Sequence, residues 1–183
     1  MAKIMANKSI INNVIDRPIT LIGHMGCGKS TIGKLLSSKL NIDFYDTDEE
    51  LEKSLNKTIY QIFLSEGEKI FREYELDVVN KLLSKKNCVI ATGGGAFIYD
   101  KTREKILNKS TSLWLRTDLE VLYKRVKYSK KRPLLNEKNK LNKLKKLALE
   151  RDPIYSKSKL IIETENLNKK QLTDKIILRL NGL

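Results

Sequence analysis

Histidine occurs once in this chain and cysteine twice, which leaves little room for metal or thiol chemistry. Cys27 and Cys88 have no metal-ligand spacing, and nothing suggests a disulfide between them. His24 alone cannot build a zinc site or a histidine-based triad. It is expected to be a variable loop residue lying over a bound anion. No apolar run approaches the roughly 20 residues that span a bilayer, so no membrane association is expected. Residues 1–17 carry Lys3 and Lys8 before a short apolar stretch, but Asn12 and Asn13 interrupt it and no small-residue cleavage site follows. This segment reads as a leader, partly loose, and a cytoplasmic location is expected.

Acidic residues are also in short supply. Against 36 Lys and Arg stand 22 Asp and Glu, giving a net charge of +14. Such a balance can mark a nucleic-acid binder. Between Lys124 and Lys146 eleven basic residues face one acidic residue, Glu137. That stretch is either a solvated lysine-rich surface or a cover that closes over a polyanion. The only aromatics near its lysines are Tyr123 and Tyr128, too few for a base-stacking platform. No nucleic-acid partner is expected. The length of 183 residues and the 40% apolar content suit one globular domain with a real core.

What the chain does contain is Gly23-His24-Met25-Gly26-Cys27-Gly28-Lys29-Ser30. It satisfies G-x-x-x-x-G-K-[ST] at every fixed position. An apolar strand-like run precedes it and an amphipathic helix follows. Glycines let successive backbone N–H groups turn toward one anion, and the helix start adds its positive dipole end. Lys29 can reach the outer phosphates, and the Ser30 hydroxyl can bind Mg²⁺. The chain is expected to bind a nucleoside triphosphate.

Strand and helix patterns alternate along the whole sequence. Strands are predicted over 18–22, 43–45, 88–91, 111–115 and 160–162. Helices are predicted over 31–40, 48–55, 68–85, 100–108, 118–127, 139–151 and 167–180. The first helix presents Ile32, Leu35, Leu36 and Leu40 on one face. Thr58 and Gln61 form a capping-box start for a further helix, broken near Gly67 from the long one. The helix from 139 should stop before Pro153. Five apolar strands separated by helices argue for a doubly wound α/β domain with a parallel sheet. Ligands then sit beyond the carboxyl ends of the strands. The phosphate loop, Asp46-Thr47-Asp48 and Gly93-Gly94-Gly95 all follow strands and should share one crevice.

Two carboxylates in Asp46-Thr47-Asp48 can divide labour. One can face a metal, directly or through water, and the other can orient an acceptor hydroxyl and take its proton. Asp48 could instead cap the helix behind it. Asp118 most simply caps its own helix. Three successive glycines exceed the needs of a turn, which suggests close approach of a ligand to the backbone. The chain uses only eight arginines against 28 lysines. An arginine retained in so lysine-biased a sequence can signal a need for the planar fork. Arg72, with Glu68 four residues before and Glu75 three after, is either a surface ion pair of under about 1 kcal/mol or a guanidinium that Glu75 aims at an anionic substrate. Arg132, ahead of Pro133-Leu134-Leu135, could swing onto a transferring phosphoryl group. Arg125 could stack on a flat base. Arg151 could simply partner a helix C-terminus.

Taken together, these motifs resemble the shikimate kinases. The resemblance runs over residues 18–180 and adds Gly67 to Glu75, Thr92 to Gly95, Arg132 to Leu135 and Arg151-Asp152-Pro153-Ile154-Tyr155 to the phosphate loop and Asp46-Thr47-Asp48. It implies a nucleoside-monophosphate-kinase-like, three-layer P-loop domain over 18–183. The implied five-stranded parallel sheet has order 2-3-1-4-5, helices on both faces and a mobile lid about 124–136. It implies ATP and shikimate as ligands, with shikimate bound in the region about 46–75, and Mg²⁺ as cofactor. By position, Gly26, Cys27, Gly28, Lys29, Ser30, Thr31, Arg125 and Arg132 would bind ATP. Asp48, Arg72, Gly94, Gly95 and Arg151 would bind shikimate, the two arginines holding its carboxylate. Ser30 would coordinate Mg²⁺, with Asp46 acting through water. Lys29, Asp48 and Arg132 would be catalytic. The loop near 166–169 would touch the far face of the base. A monomer is expected. Alternatives are another small-acid kinase, such as a gluconate kinase, a basic nucleic-acid-binding ATPase, and an inactive nucleotide-binding relative.

Overall fold

The computed structural model describes residues 16–127 and 140–183. Five strands, β1 (Ile19–Ile22), β2 (Asp43–Asp46), β3 (Cys88–Ala91), β4 (Thr111–Arg116) and β5 (Leu160–Glu163), form one sheet. Its order is β2-β3-β1-β4-β5, and every neighbouring pair is parallel. The helices are α1 (Lys29–Leu40), α2 (Thr47–Leu55), α3 (Ile59–Leu83), α4 (Asp100–Lys109), α5 (Leu119–Val126), α6 (Lys140–Tyr155) and α7 (Lys169–Leu180).

Parallel strands buried on both faces need apolar residues on both, and β1, β3 and β4 supply them. On one face Leu21, Val89, Leu113 and Leu115 pack with Ile32 and Leu36 of α1 and Leu172 and Ile176 of α7. On the other, Ile22, Ile90 and Trp114 pack with Val79 and Leu82 of α3, Ile106 of α4 and Tyr155 of α6. Each fully buried aliphatic side chain contributes about 1.5–3 kcal/mol, so the core clamps the strand ends firmly. A smaller cluster of Leu51, Ile62 and Phe71 joins α2 to α3.

Two details depart from the sequence reading. Leu35 is 41% exposed, because the buried face of α1 runs through Ile32, Gly33, Leu36 and Ser37. The break expected near Gly67 does occur: its backbone is non-helical (φ 80°, ψ 175°) and divides α3 at a kink. The helix predicted to end before Pro153 runs on to Tyr155. Proline removes only the bond to the carbonyl four residues earlier, that of Leu149, and Leu149 lies on the solvent side at 80% exposure. Among the described residues no helix is long and apolar enough to cross a membrane.

Candidate active site

The carboxyl ends of β1, β2 and β3 open into a cavity of about 430 Å³, whose lining includes Gly26, Lys29, Ser30, Asp48, Thr92 and Arg125. The phosphate loop forms its floor. A side chain at Gly26 (φ 82°) would place its first carbon 2.6 Å from Val126 Cγ1, so α5 can pack against the loop only because that carbon is missing. Gly28 (φ 104°) turns the chain directly into α1. Lys29 is buried, and its Nζ donates to the carbonyls of Gly23 at 2.8 Å and His24 at 3.0 Å. Cys27 and Thr31 line the same cavity, and Arg125 Nη1 donates to the Gly26 carbonyl at 3.1 Å.

Behind β2, Asp46 performs two tasks. Its Oδ1 accepts from the Asp48 N–H at 3.1 Å and caps α2, while its Oδ2 accepts from Ser30 Oγ at 2.6 Å. The cap is therefore Asp46 and not Asp48, which frees the Asp48 carboxylate to face the cavity. Asp118 caps α5 through the Glu120 N–H at 2.7 Å, the role expected of it.

Each of the three glycines meets charged side chains of the protein. A carbon added at Gly93 would lie 2.7 Å from Asp48 Oδ1 and 2.8 Å from Glu75 Oε1. At Gly95 it would lie 2.5 Å and 2.8 Å from the Arg72 guanidinium nitrogens. Between them, the Gly94 carbonyl accepts from Arg151 Nη1 at 3.1 Å and from the Tyr155 hydroxyl at 2.6 Å. The glycines were expected to admit a ligand to the backbone. Gly93 and Gly95 admit the protein's own carboxylates and guanidinium, and Gly94 lines the cavity. Arg72 is no surface pair: Glu75 at 2.7 Å is 1% exposed, and Glu68 completes the fork at 2.9 Å.

Residues 25–181 match the sequence model of the family described as Shikimate kinase. The shikimate kinase of Cereibacter sphaeroides is 41% identical over 150 residues, covering 82% of this chain and 75% of that one. The solved structure of the Acinetobacter baumannii shikimate kinase in complex with shikimate superimposes with a TM-score of 0.87 at 38% identity, over 91% and 93% of the two chains. The chain belongs to the shikimate kinase family. It is an ATP-dependent phosphotransferase. A Sinorhizobium meliloti gluconokinase, 15% identical with a TM-score of 0.58 over 92% and 93% of the chains, shares the fold alone.

Electrostatics sharpen the picture of this family member. Burial, and then the Asp46 charge beside it, push the Asp48 carboxyl up to about 6, against the pull of Lys29 and Arg72. Burial likewise raises Glu75, although Arg72 opposes it. Burial works against the Arg72 charge, but Glu75 and Glu68 outweigh it and the guanidinium stays charged. Among the described residues no group of three or more His, Cys, Asp and Glu could hold a metal by itself. The hydroxyl–carboxylate pair of Ser30 and Asp46 fits a divalent ion that arrives already bound to phosphates.

Sequence reasoning missed several participants. Thr47 accepts the Gly93 N–H at 3.0 Å and holds the glycine turn in place. Tyr155, four residues after Arg151, shares its face and its acceptor; that spacing was the available signal, hidden by ending the helix at Pro153. His24 was expected as a loop residue lying over the phosphates. It is 5% exposed and turned toward Asp152 on α6. Arg132 and residues 128–136 of the expected lid lie outside the described residues, as do residues 1–15 of the expected leader. Thr164, Leu167 and Lys169, in and around the loop expected to touch the base, line the same cavity as Arg125.

Proposed function

We propose that this chain transfers the γ-phosphoryl group of ATP to the 3-hydroxyl of shikimate, giving shikimate 3-phosphate and ADP. The observation that carries the reading is the convergence of Asp48, Arg151 and Arg72 on Gly93, Gly94 and Gly95, beside the phosphate loop. Two guanidinium groups and one carboxylate suit a small acid that bears hydroxyls. Arg72 and Arg151 take the carboxylate as charge-assisted partners, and Gly94 and Gly95 keep the floor low enough for them. Asp48 orients the hydroxyl and accepts its proton as the new O–P bond forms and the bond to the β-phosphate oxygen breaks. Lys29 and the loop N–H groups neutralise charge on the phosphates. Ser30, with Asp46 through water, would hold Mg²⁺, which would supply charge neutralisation to the transferring phosphates. Arg132 stabilises the group in flight and Arg125 covers the adenine, with the lid about 124–136 excluding water. The chain is read as acting as a monomer.

A coupled ADP-release assay with Mg-ATP tests the reading. Shikimate should drive ADP formation, and gluconate should not. Arg72→Ala should raise the KM for shikimate far more than the KM for ATP. Turnover with gluconate alone, or an unchanged KM for shikimate in that variant, would overturn the assignment.

A further inference from the structure

The transfer steps give no task to one buried imidazole. His24 is the only histidine of the chain, sits inside the phosphate loop and is nonetheless buried. Its Nε2 lies 2.6 Å from Asp152 Oδ1. A carboxylate only accepts, so Nε2 carries the proton and donates. The ring stands edge-on to Tyr155, with centroids 5.0 Å apart and planes at 87°. The His24 carbonyl accepts from Lys29 Nζ. The groups that face this ring are Asp152, Arg151 and Lys29, together with Tyr155, and burial lowers its pKa although Asp152 pulls the other way. A neutral ring bonded to a carboxylate is the arrangement that results.

The other end of the contact is equally specific. Asp152 directly follows Arg151, and one turn on lies Tyr155. Both Arg151 and Tyr155 donate to the Gly94 carbonyl. This last stretch of α6 contains Pro153, so it has lost one of its own backbone bonds. Side-chain tethers must hold the turn in place. A guanidinium fork recognises a carboxylate only within narrow limits of angle and position.

We propose that His24 and Asp152 form a positioning pair, which pins the last turn of α6 to the phosphate loop and so aims Arg151 at the carboxylate of the acid substrate. The pair touches no substrate itself. The inference rests on the kinase reading above and adds to it a residue pair that sets affinity for the acid.

His24→Phe keeps the ring and removes the donor. It should raise the KM for shikimate about five- to tenfold, while kcat and the KM for ATP stay within about twofold. His24→Gln places an N–H near the position of Nε2 and should restore the KM to within about twofold. Asp152→Ala, at a half-exposed site, should reproduce the His24→Phe effect. Combined with His24→Phe it should add almost nothing, because the pair acts as a unit. Thermal unfolding of each variant reports on stability. The inference falls if both single variants keep the wild-type KM for shikimate. It falls if the only effect is a lower Tm or kcat at unchanged KM, which is a structural role. It falls too if His24→Gln behaves like His24→Phe, which would credit ring packing on Tyr155. A wild type that gives no ADP with shikimate defeats the kinase reading first and this inference with it; an active wild type with unaffected variants defeats this inference alone.

Discussion

Replacing Gly95 by alanine isolates a single structural claim, that the third glycine exists to seat a guanidinium. The backbone at Gly95 is outside the left-handed region, so alanine costs no dihedral strain there. The added carbon would sit 2.5 Å, 2.8 Å and 2.9 Å from the Arg72 Nη2, Nη1 and Cζ. All three distances fall well inside van der Waals contact, so the guanidinium must leave. Glu75 at 2.7 Å and Glu68 at 2.9 Å oppose that movement, so the fork cannot simply tip aside and keep its aim. A hydrogen bond to a charged group is worth about 1.5–3 kcal/mol. Loss of one such bond to the substrate carboxylate corresponds to about a ten- to hundredfold rise in the KM for shikimate. ADP release at saturating ATP, with shikimate varied, measures it. Gly67→Ala is the control. Gly67 has φ 80° and nothing within 4 Å of an added carbon, so alanine should cost about 1–3 kcal/mol of stability through the backbone and leave the KM alone. A Gly95→Ala enzyme with the wild-type KM for shikimate would refute the assignment of Arg72 and the reason given for the glycine.

Other perturbations probe other parts of the site. Lys29→Ala should lower kcat about a thousandfold in the ADP-release assay, because the phosphates lose a buried cation. Arg132→Ala should lower kcat about a hundredfold and raise the KM for shikimate less, and an unchanged kcat would remove Arg132 from the catalytic set. In its proposed role Asp48 must be ionised to accept a proton, and its raised pKa means that kcat/KM for shikimate should climb as pH rises through about 6. The Asp46 charge is the second cause of that rise, so Asp46→Asn should move the limb to lower pH while raising the Mg²⁺ requirement; a limb that stays put belongs to another group. The same shift has a stability consequence of the opposite sense. A proton held more tightly in the folded state stabilises it fully below about 4 and is lost as pH rises through about 6, so Asp48→Asn should gain stability near neutral pH in a denaturant titration.

Much of this was legible in the chain because the signals are local. The phosphate loop, the two aspartates after β2 and the glutamates flanking Arg72 are set by spacings of a few residues. The alternation of strand and helix identifies a parallel α/β sheet in the same way. Strand order is not a local property, and only the likeness to a known family supplied it. The purpose of the glycines was illegible for a similar reason. Gly93 and Gly95 have room for Asp48, Glu75 and Arg72, which approach them from 18 to 45 positions earlier in the chain. Pro153 misled outright. The rule that proline ends a helix hid the fact that Arg151 and Tyr155 share one face. His24 and Asp152 lie 128 positions apart, and no pattern in either neighbourhood announces the other.

The placement of β3 between β2 and β1 explains why one short loop can gather so many distant groups. α2 starts at the end of β2 and brings Asp48 in from one side. α3 leads back into β3 and carries Arg72 and Glu75 across the loop that strand ends in. α6 returns on the face of the sheet that holds Trp114 and delivers Arg151 and Tyr155. The loop itself is tied to β1, since both the N–H and the hydroxyl of Thr92 donate to the Leu21 carbonyl, at 3.2 Å and 3.0 Å. Leu21 stands two residues before Gly23, where the phosphate loop begins. The groups proposed to bind the acid and the phosphate loop are thus referred to the same two strand ends, with Leu21 paired to Ala91. A phosphoryl transfer depends on the spacing between acceptor and donor more than on the strength of either site. In this fold that spacing is set by the register of two buried parallel strands, the least deformable part of the molecule, while the helices that carry the charged side chains need only be accurate relative to the loop.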